Sequence, residues 1–343
     1  MNIRKAITPK ESITAITFIT ALVAGNAIAS SHDDYVSFED CSWWDFTCKN
    51  EQSDNRYNTQ YPIVLVHGLS GFEQILFVEY FHGIPSELRD GNAKVYTPNL
   101  SSWNGIEVRG EQLVDYIQNH VLPDSGASKV NLIGHSMGSP TSRYVASVYP
   151  EIVASVTSVH GANSGSHFSD FMMYQLLPED SPLYDLYIDI TDGLLSTFGS
   201  IIDFLSSGEH YEQDAFQATW DLSSEGAAAF NEKYPEGQPT SDCSSGAEEV
   251  NGIRYYSWGG IGGITNIFDP LDYAMTFIGQ ATANGADTDG LVGRCEQMWG
   301  NVLRDDYNHN HTDGSNLLFG MTGFTDAKDI YENHANRLRS IGL

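Results

Sequence analysis

The sequence predicts an α/β fold built on a mostly parallel sheet with helices on both faces. Three observations carry that expectation. Apolar runs with the composition of buried strands (residues 61–66, 130–133 and 152–159) alternate with segments of helical period. The second run leads directly into Gly134-His135-Ser136-Met137-Gly138, and residues 141–148 continue with Tyr144, Val145 and Val148 spaced for one helix face. No internal repeat or low-complexity linker is visible in the 343 residues, so one folded domain, residues 59–343, is the economical organisation.

Taken in order, residues 1–29 read as a secretory signal. Arg4, Lys5 and Lys10 make a basic start, residues 13–24 are apolar, and Ala27-Ile28-Ala29 is a small-x-small cleavage site. That run is too short to span a bilayer, and no later run is long and uncharged enough to do so. The expectation is an exported, secreted protein with no transmembrane segment in its mature form. Residues 30–58 form a polar, Trp-bearing leader with no readable role. Residues 61–66 then give the first strand, followed by His67-Gly68-Leu69, and residues 93–97 give a short second one. A helix is expected over 108–122 and the strand 130–133 after it; the strand 152–159 ends at His160-Gly161. Residues 168–208 behave differently: Leu183, Leu186, Ile190, Leu194, Phe198 and Ile201 recur at steps of three or four, opposite Asp185, Asp189 and Asp192. Such a stretch is either an ordinary packed helix or a mobile lid whose apolar face covers a site in water and turns outward on lipid.

Charge and cysteines narrow the function classes. With 17 basic and 45 acidic residues the formal charge is −28, which repels nucleic acid and anionic lipid headgroups. Four cysteines in an oxidising compartment allow three connectivities. Pairing near with near and distant with distant joins Cys41 to Cys48 and Cys243 to Cys295, the latter closing a loop of about fifty residues worth about 2–4 kcal/mol. The absence of any C-x-x-C argues against zinc.

The chemistry centres on Ser136. In a G-x-S-x-G elbow a strand turns sharply into a helix and lifts a serine hydroxyl out of the sheet edge. The flanking residues must be small because strand and helix pass close together. A serine needs a base to take its proton and a carboxylate to orient that base, and chains with this elbow supply them in the order Ser, acid, His. Downstream, Asp287 and Asp289 are the acid candidates; Asp289, before Gly290 and the apolar Leu291-Val292, suits a strand-to-loop turn. For the base, His334 falls in a helical stretch and reads as structural, while His309 and His311 lie two apart and spacing does not choose between them. The oxyanion hole would take one N–H from Met137 and another from Leu69, with Gly68 keeping that loop open.

These segments resemble the bacterial true lipases, the Pseudomonas and Burkholderia type of foldase-dependent triacylglycerol lipase. The resemblance runs from about residue 61 to the C-terminus. It rests on YPIVLVHG (61–68), EVRGEQL (107–113), VNLIGHS (130–136), FLSSG (204–208), EGAAAFN (225–231), YYSW (255–258), DGLVG (289–293) and HANRL (334–338), all in one order. It implies the α/β-hydrolase fold with a helical lid, His311 as the base, Asp289 as the acid and a Cys243–Cys295 disulfide. It also implies a structural calcium ion held by Asp269 and Asp313 with the carbonyls of Leu317 and Met321, where hard oxygen ligands beside His311 would clamp its loop. Arg109 matches an arginine that supports the oxyanion loop. The activity implied is hydrolysis of long-chain triacylglycerols at a lipid–water interface, with a periplasmic foldase and type II secretion as partners. A soluble-ester carboxylesterase on the same fold is the near alternative, and a catalytically silent lipid-binding protein the distant one. Two features depart from the pattern: the elbow continues Met137-Gly138-Ser139 where relatives have His-Gly-Gly, and residues 30–58 have no counterpart.

Overall fold

Four consecutive residues of strand β1 (Ile63–Val66) are wholly buried, and their alternation explains the architecture. Ile63 and Leu65 enter one apolar cluster, Val64 and Val66 another, so the sheet is covered on both faces. The computed structural model describes residues 55–69, 74–75, 78–176 and 213–343. After β1 come a two-stranded hairpin, β2 (Gln74–Ile75) and β3 (Val78–Glu79), then β4 (Val95–Tyr96), β5 (Val130–His135) and β6 (Val153–Val159). The last strands are β7 (Glu249–Val250), β8 (Ile253–Gly260) and β9 (Asn301–Tyr307). Their order is β4-β1-β5-β6-β8-β9, all parallel, with β7 antiparallel against the start of β8.

The helices follow the two-faced pattern. α1 (Ile84–Asp90) contributes Ile84 and Leu88 to the cluster beneath Ile63 and Leu65. α2 (Ile106–Tyr116) passes through a π-turn (Ile117–Val121) into α3 (Leu122–Ser125), covering the stretch expected as one helix. α2 and α4 (Gly138–Val148) pack together on the opposite face through Ile106, Leu113 and Val145. α5 (His167–Phe171) starts the proposed lid stretch and a π-turn (Met172–Leu176) follows; the remainder of 168–208 lies outside the described residues. So do residues 1–54, with Cys41 and Cys48. Then come α6 (Ala215–Asp221), α7 (Ser224–Lys233), α8 (Pro270–Thr282) and α9 (Leu317–Gly320). α10 (Ala327–Ser340) packs beside α1, burying Ile330, Tyr331, His334 and Leu338. Among the described residues no helix is long and apolar enough to cross a membrane.

One polar contact ties the layers. Arg143 of α4 is buried and donates to the Asn231 side chain (2.7 Å) and the Tyr234 carbonyl (3.0 Å), with its guanidinium 3.3 Å from the Trp299 ring centre. Burial pushes its pKa down to about 9, against the weaker opposing pull of Tyr255 and the Glu236 carboxylate.

Candidate active site

Parallel strands place their C-terminal ends on one edge, and the candidate residues gather there. β5 ends at His135 and α4 starts at Gly138, so Ser136 occupies the turn between them with φ of +57°. That left-handed backbone is costly for serine and is held by main-chain bonds from Ser136 N–H to the Val159 carbonyl (3.0 Å) and from Ser139 N–H to the Ser136 carbonyl (3.1 Å). The flanking glycines are obligatory. A Cβ on Gly134 would lie 2.2 Å from the Gly138 carbonyl oxygen, and one on Gly138 would lie 2.1 Å from that of Val66.

The structure brings Ser136, His311 and Asp289 together from three distant stretches of chain. Ser136 Oγ lies 2.9 Å from His311 Nε2, and His311 Nδ1 donates to Asp289 Oδ2 at 2.8 Å. The other carboxylate oxygen, Oδ1, accepts from the main-chain N–H groups of Leu291 (3.0 Å) and Val292 (2.8 Å). Burial alone would raise the pKa of Asp289, but the imidazoles of His311 and His160 outweigh it and hold the group well below the usual carboxylate range. Asp289 is therefore an ionised acceptor.

Asp289 does not end a strand, contrary to the expected strand-to-loop turn. It sits between α8 and β9, in a turn closed by a bridge between Thr288 and Gly293. Backbone bonds fix it there: its N–H donates to the Val292 carbonyl (3.1 Å), and its carbonyl accepts from His311 N–H (2.8 Å). Asp287 is exposed beside Arg294. His309 points away, donating through Nε2 to the Thr325 carbonyl (2.8 Å), and burial pushes its pKa down to about 4. His334 is buried on α10, hydrogen-bonded to Thr157 of β6 (2.8 Å).

Met137, directly after Ser136, is the N-cap of α4, and Leu69 lies in the loop after β1. The β1 loop abuts the serine so closely that a Cβ on Gly68 would fall 2.6 Å from Ser136 Cβ. Arg109 of α2, fully buried, braces this loop by donating to the carbonyls of His67 (2.6 Å) and Gly68 (3.3 Å) and to that of Ser101. His67 accepts at Nε2 from Leu100 N–H (3.0 Å) and donates from Nδ1 to the Gly68 carbonyl (2.9 Å). Burial first, and then Arg109, push its pKa down to about 3, so it is neutral.

Three side chains here escaped sequence reasoning. Tyr80 accepts from Gly68 N–H (3.1 Å) and donates to His135 Nδ1 (2.7 Å). His135 Nε2 then donates to the His311 carbonyl (2.8 Å), linking the loop after β1 to the loop that carries His311. His160, at the end of β6, donates from Nδ1 to Asp289 Oδ2 (2.9 Å). The dipeptide His160-Gly161 closing a strand was the available signal, but its partner lies 129 residues away.

The acidic residues cluster beyond His311. Asp269 is nearly fully buried and caps α8 by accepting from Leu271 N–H (2.8 Å); Asp313 follows His311 by two positions. Asp313 Oδ2 accepts from Asn310 N–H and from Thr265 Oγ1, both at 2.9 Å, and Thr265 also reaches Asp272. Leu317 opens α9 and Met321 follows it. Burial first, then the Asp272 and Asp269 carboxylates, push the pKa of Asp313 up to about 7. Cys243 and Cys295 are disulfide-bonded.

Comparison with known proteins agrees with this geometry. Residues 61–270 match the family described as the alpha/beta hydrolase fold. A triacylglycerol lipase of Vibrio cholerae serotype O1 is 46% identical over 305 residues, covering 88% of this chain and 95% of that protein. A triacylglycerol lipase of Pseudomonas fragi is 39% identical over 298 residues, covering 84% and 100%. Among solved structures, Staphylococcus hyicus lipase superposes with a TM-score of 0.56 at 18% identity, covering 82% of this chain and 96% of that one, a likeness of fold. With a parallel sheet, a serine elbow and relatives of this identity over most of its length, the chain belongs to the α/β hydrolase family, among the bacterial triacylglycerol lipases.

Proposed function

We propose that this protein is a secreted triacylglycerol lipase that hydrolyses long-chain acylglycerol esters at a lipid–water interface, with Ser136 as nucleophile. The observation that carries the reading is the unbroken hydrogen-bond path Ser136–His311–Asp289 beside the Gly68 loop. As Ser136 Oγ attacks the ester carbonyl, its proton passes to His311 Nε2, and Asp289 stabilises the imidazolium. Charge developing on the carbonyl oxygen is met by the N–H groups of Leu69 and Met137, a contribution typically worth about 10²–10³ in kcat per donor. His311 then protonates the departing glyceride oxygen, and water repeats the sequence on the acyl-enzyme. Arg109 acts by holding the loop that carries Leu69.

A calcium ion forms part of the same reading. Asp269 and Asp313, with the carbonyls of Leu317 and Met321, are the oxygen donors that would hold it. The donor set fits: Asp313 is buried next to two further carboxylates, and the hydrogen bonds that Asp313 and Asp272 accept come from neutral groups. When bound, the ion supplies positive charge and a rigid tie for the loop after His311, with no part in the chemical step. Export through a signal over residues 1–29, a leader over 30–58, a lid over 168–208 and a dedicated foldase belong to this proposal, on the resemblance to foldase-dependent lipases.

The test is Ser136→Ala together with a lipid phosphonate. The expected loss on emulsified tributyrin is about five to six orders of magnitude, and the phosphonate should modify wild-type Ser136 alone. Substantial tributyrin hydrolysis by the alanine variant would overturn the proposal. Wild-type turnover of dissolved short esters without any on emulsions would replace lipase by carboxylesterase.

A further inference from the structure

We propose that His160 is a positioning residue for ester hydrolysis, delivering a second imidazole N–H to the same Asp289 oxygen that receives His311. The inference rests on the hydrolase reading of Ser136 and concerns a group that reading does not use.

Asp289 is saturated by four N–H donors. Oδ1 takes those of Leu291 and Val292, while Oδ2 takes His311 Nδ1 at 2.8 Å and His160 Nδ1 at 2.9 Å. A carboxylate has about four acceptor sites, so none is left over, and rotation about its side chain would break two bonds at once. Because ionised Asp289 only accepts, the proton of His160 must lie on Nδ1. A neutral donor suits this place. Lysine or arginine would hold the carboxylate equally well, but its full charge would oppose the imidazolium that forms on His311.

His160 is housed for this contact at a cost. Its φ of +47° is left-handed, and its Nε2 is buried with no hydrogen-bond partner among the described residues. Glycines make room for the ring: a Cβ on Gly314 would meet Cδ2 at 2.5 Å, and one on Gly260 would meet Cε1 at 2.7 Å. His309 lies almost parallel to the ring, with centroids 6.3 Å apart, and the rings of His135 and His311 stand at 6.1 and 6.2 Å. The polar contact that accounts for this placement is the one with Asp289.

Two variants test it. His160→Gly accepts the backbone angle and removes the donor. His160→Asn also tolerates left-handed backbone and sets an amide N–H where Nδ1 was. On a dissolved p-nitrophenyl ester, with active sites counted by phosphonate titration, His160→Gly should lower kcat per site about 10- to 100-fold, leaving KM within about twofold. His160→Asn should recover most of that loss. Equal losses in both variants, a change carried by KM, or no change in His160→Gly would overturn the proposal. Proton NMR of histidine-labelled wild-type protein supplies a readout free of turnover and of refolding variants. It should show two strongly downfield imidazole N–H signals coupled to Asp289, and a single one would equally overturn it. If wild-type protein neither turns over esters nor reacts with the phosphonate, the hydrolase reading fails while the NMR pair still reports on His160.

Discussion

Tyr80→Phe isolates the link between the loop after β1 and the loop that carries His311. The substitution keeps the ring, 6% exposed, and deletes one oxygen that both accepts from Gly68 N–H and donates to His135 Nδ1. Two buried polar groups thereby lose a partner. Each such loss costs about 1–3 kcal/mol where water does not replace the missing group, so the variant should be about 2–6 kcal/mol less stable. Activity should fall too, because Gly68 lies against Ser136 and Leu69 follows it. We expect kcat on a dissolved ester to drop about tenfold with little change in KM. Urea unfolding monitored by tryptophan fluorescence measures the first effect, with the denaturant slope unchanged. Tyr255→Phe is the control: the Tyr255 hydroxyl is buried with no hydrogen-bond partner among the described residues, so the same atom deletion should cost nothing. If Tyr80→Phe matches Tyr255→Phe in both stability and kcat, the bridge has no energetic content and the reasoning fails.

Further outcomes concern pH, the ion and the disulfide. His67, His309 and His334 are buried with pKa values near 3, 4 and 3, below the unfolded value, so the unfolded chain binds more protons in acid. Their contribution is intact above about pH 6.5 and is lost as pH falls towards 4, with a slope of at most about 4 kcal/mol per pH unit; a urea midpoint flat over that window would contradict this. Asp313 has the opposite sign. Its carboxyl, raised to about 7, keeps a proton that the unfolded chain gives up, so the protein without the proposed ion should lose stability as pH rises from about 4 to 7. Chelation should accordingly lower Tm more at pH 8 than at pH 5, and an unchanged Tm at both would discard the ion. Replacing Cys243 and Cys295 by serine opens a loop with a sequence separation of 52, and unfolding should report a loss of at most about 4 kcal/mol.

Local pattern was sufficient for much of the site. Apolar runs named three of the parallel strands, β1, β5 and β6, because a strand buried on both faces has little polar composition to hide it. The elbow was legible because its G-x-S-x-G spacing is local in sequence and Gly134 is demanded by a contact four residues away with Gly138, although Gly138 itself is demanded by the remote Val66 of β1. β8 and β9 were not read as strands from period alone. β9 is half-buried along most of its length and carries Arg304, Asp305 and Asp306, so its sequence lacks the apolar signature that β5 has.

What this chain's sequence determined alone is therefore the parallel sheet, the turn that presents Ser136, and the short menu of acids and bases downstream. Tertiary structure decided which of them meet. His309 and His311 are chemically identical and two residues apart, yet one bonds Thr325 and the other Ser136, because β9 and the loop after it set their directions. His160 joins Asp289 only because β6 delivers it to the same sheet edge, across 129 residues. Side-chain chemistry is written in the residue, but partnership depends on distance, and distance between remote residues exists only once the sheet has formed.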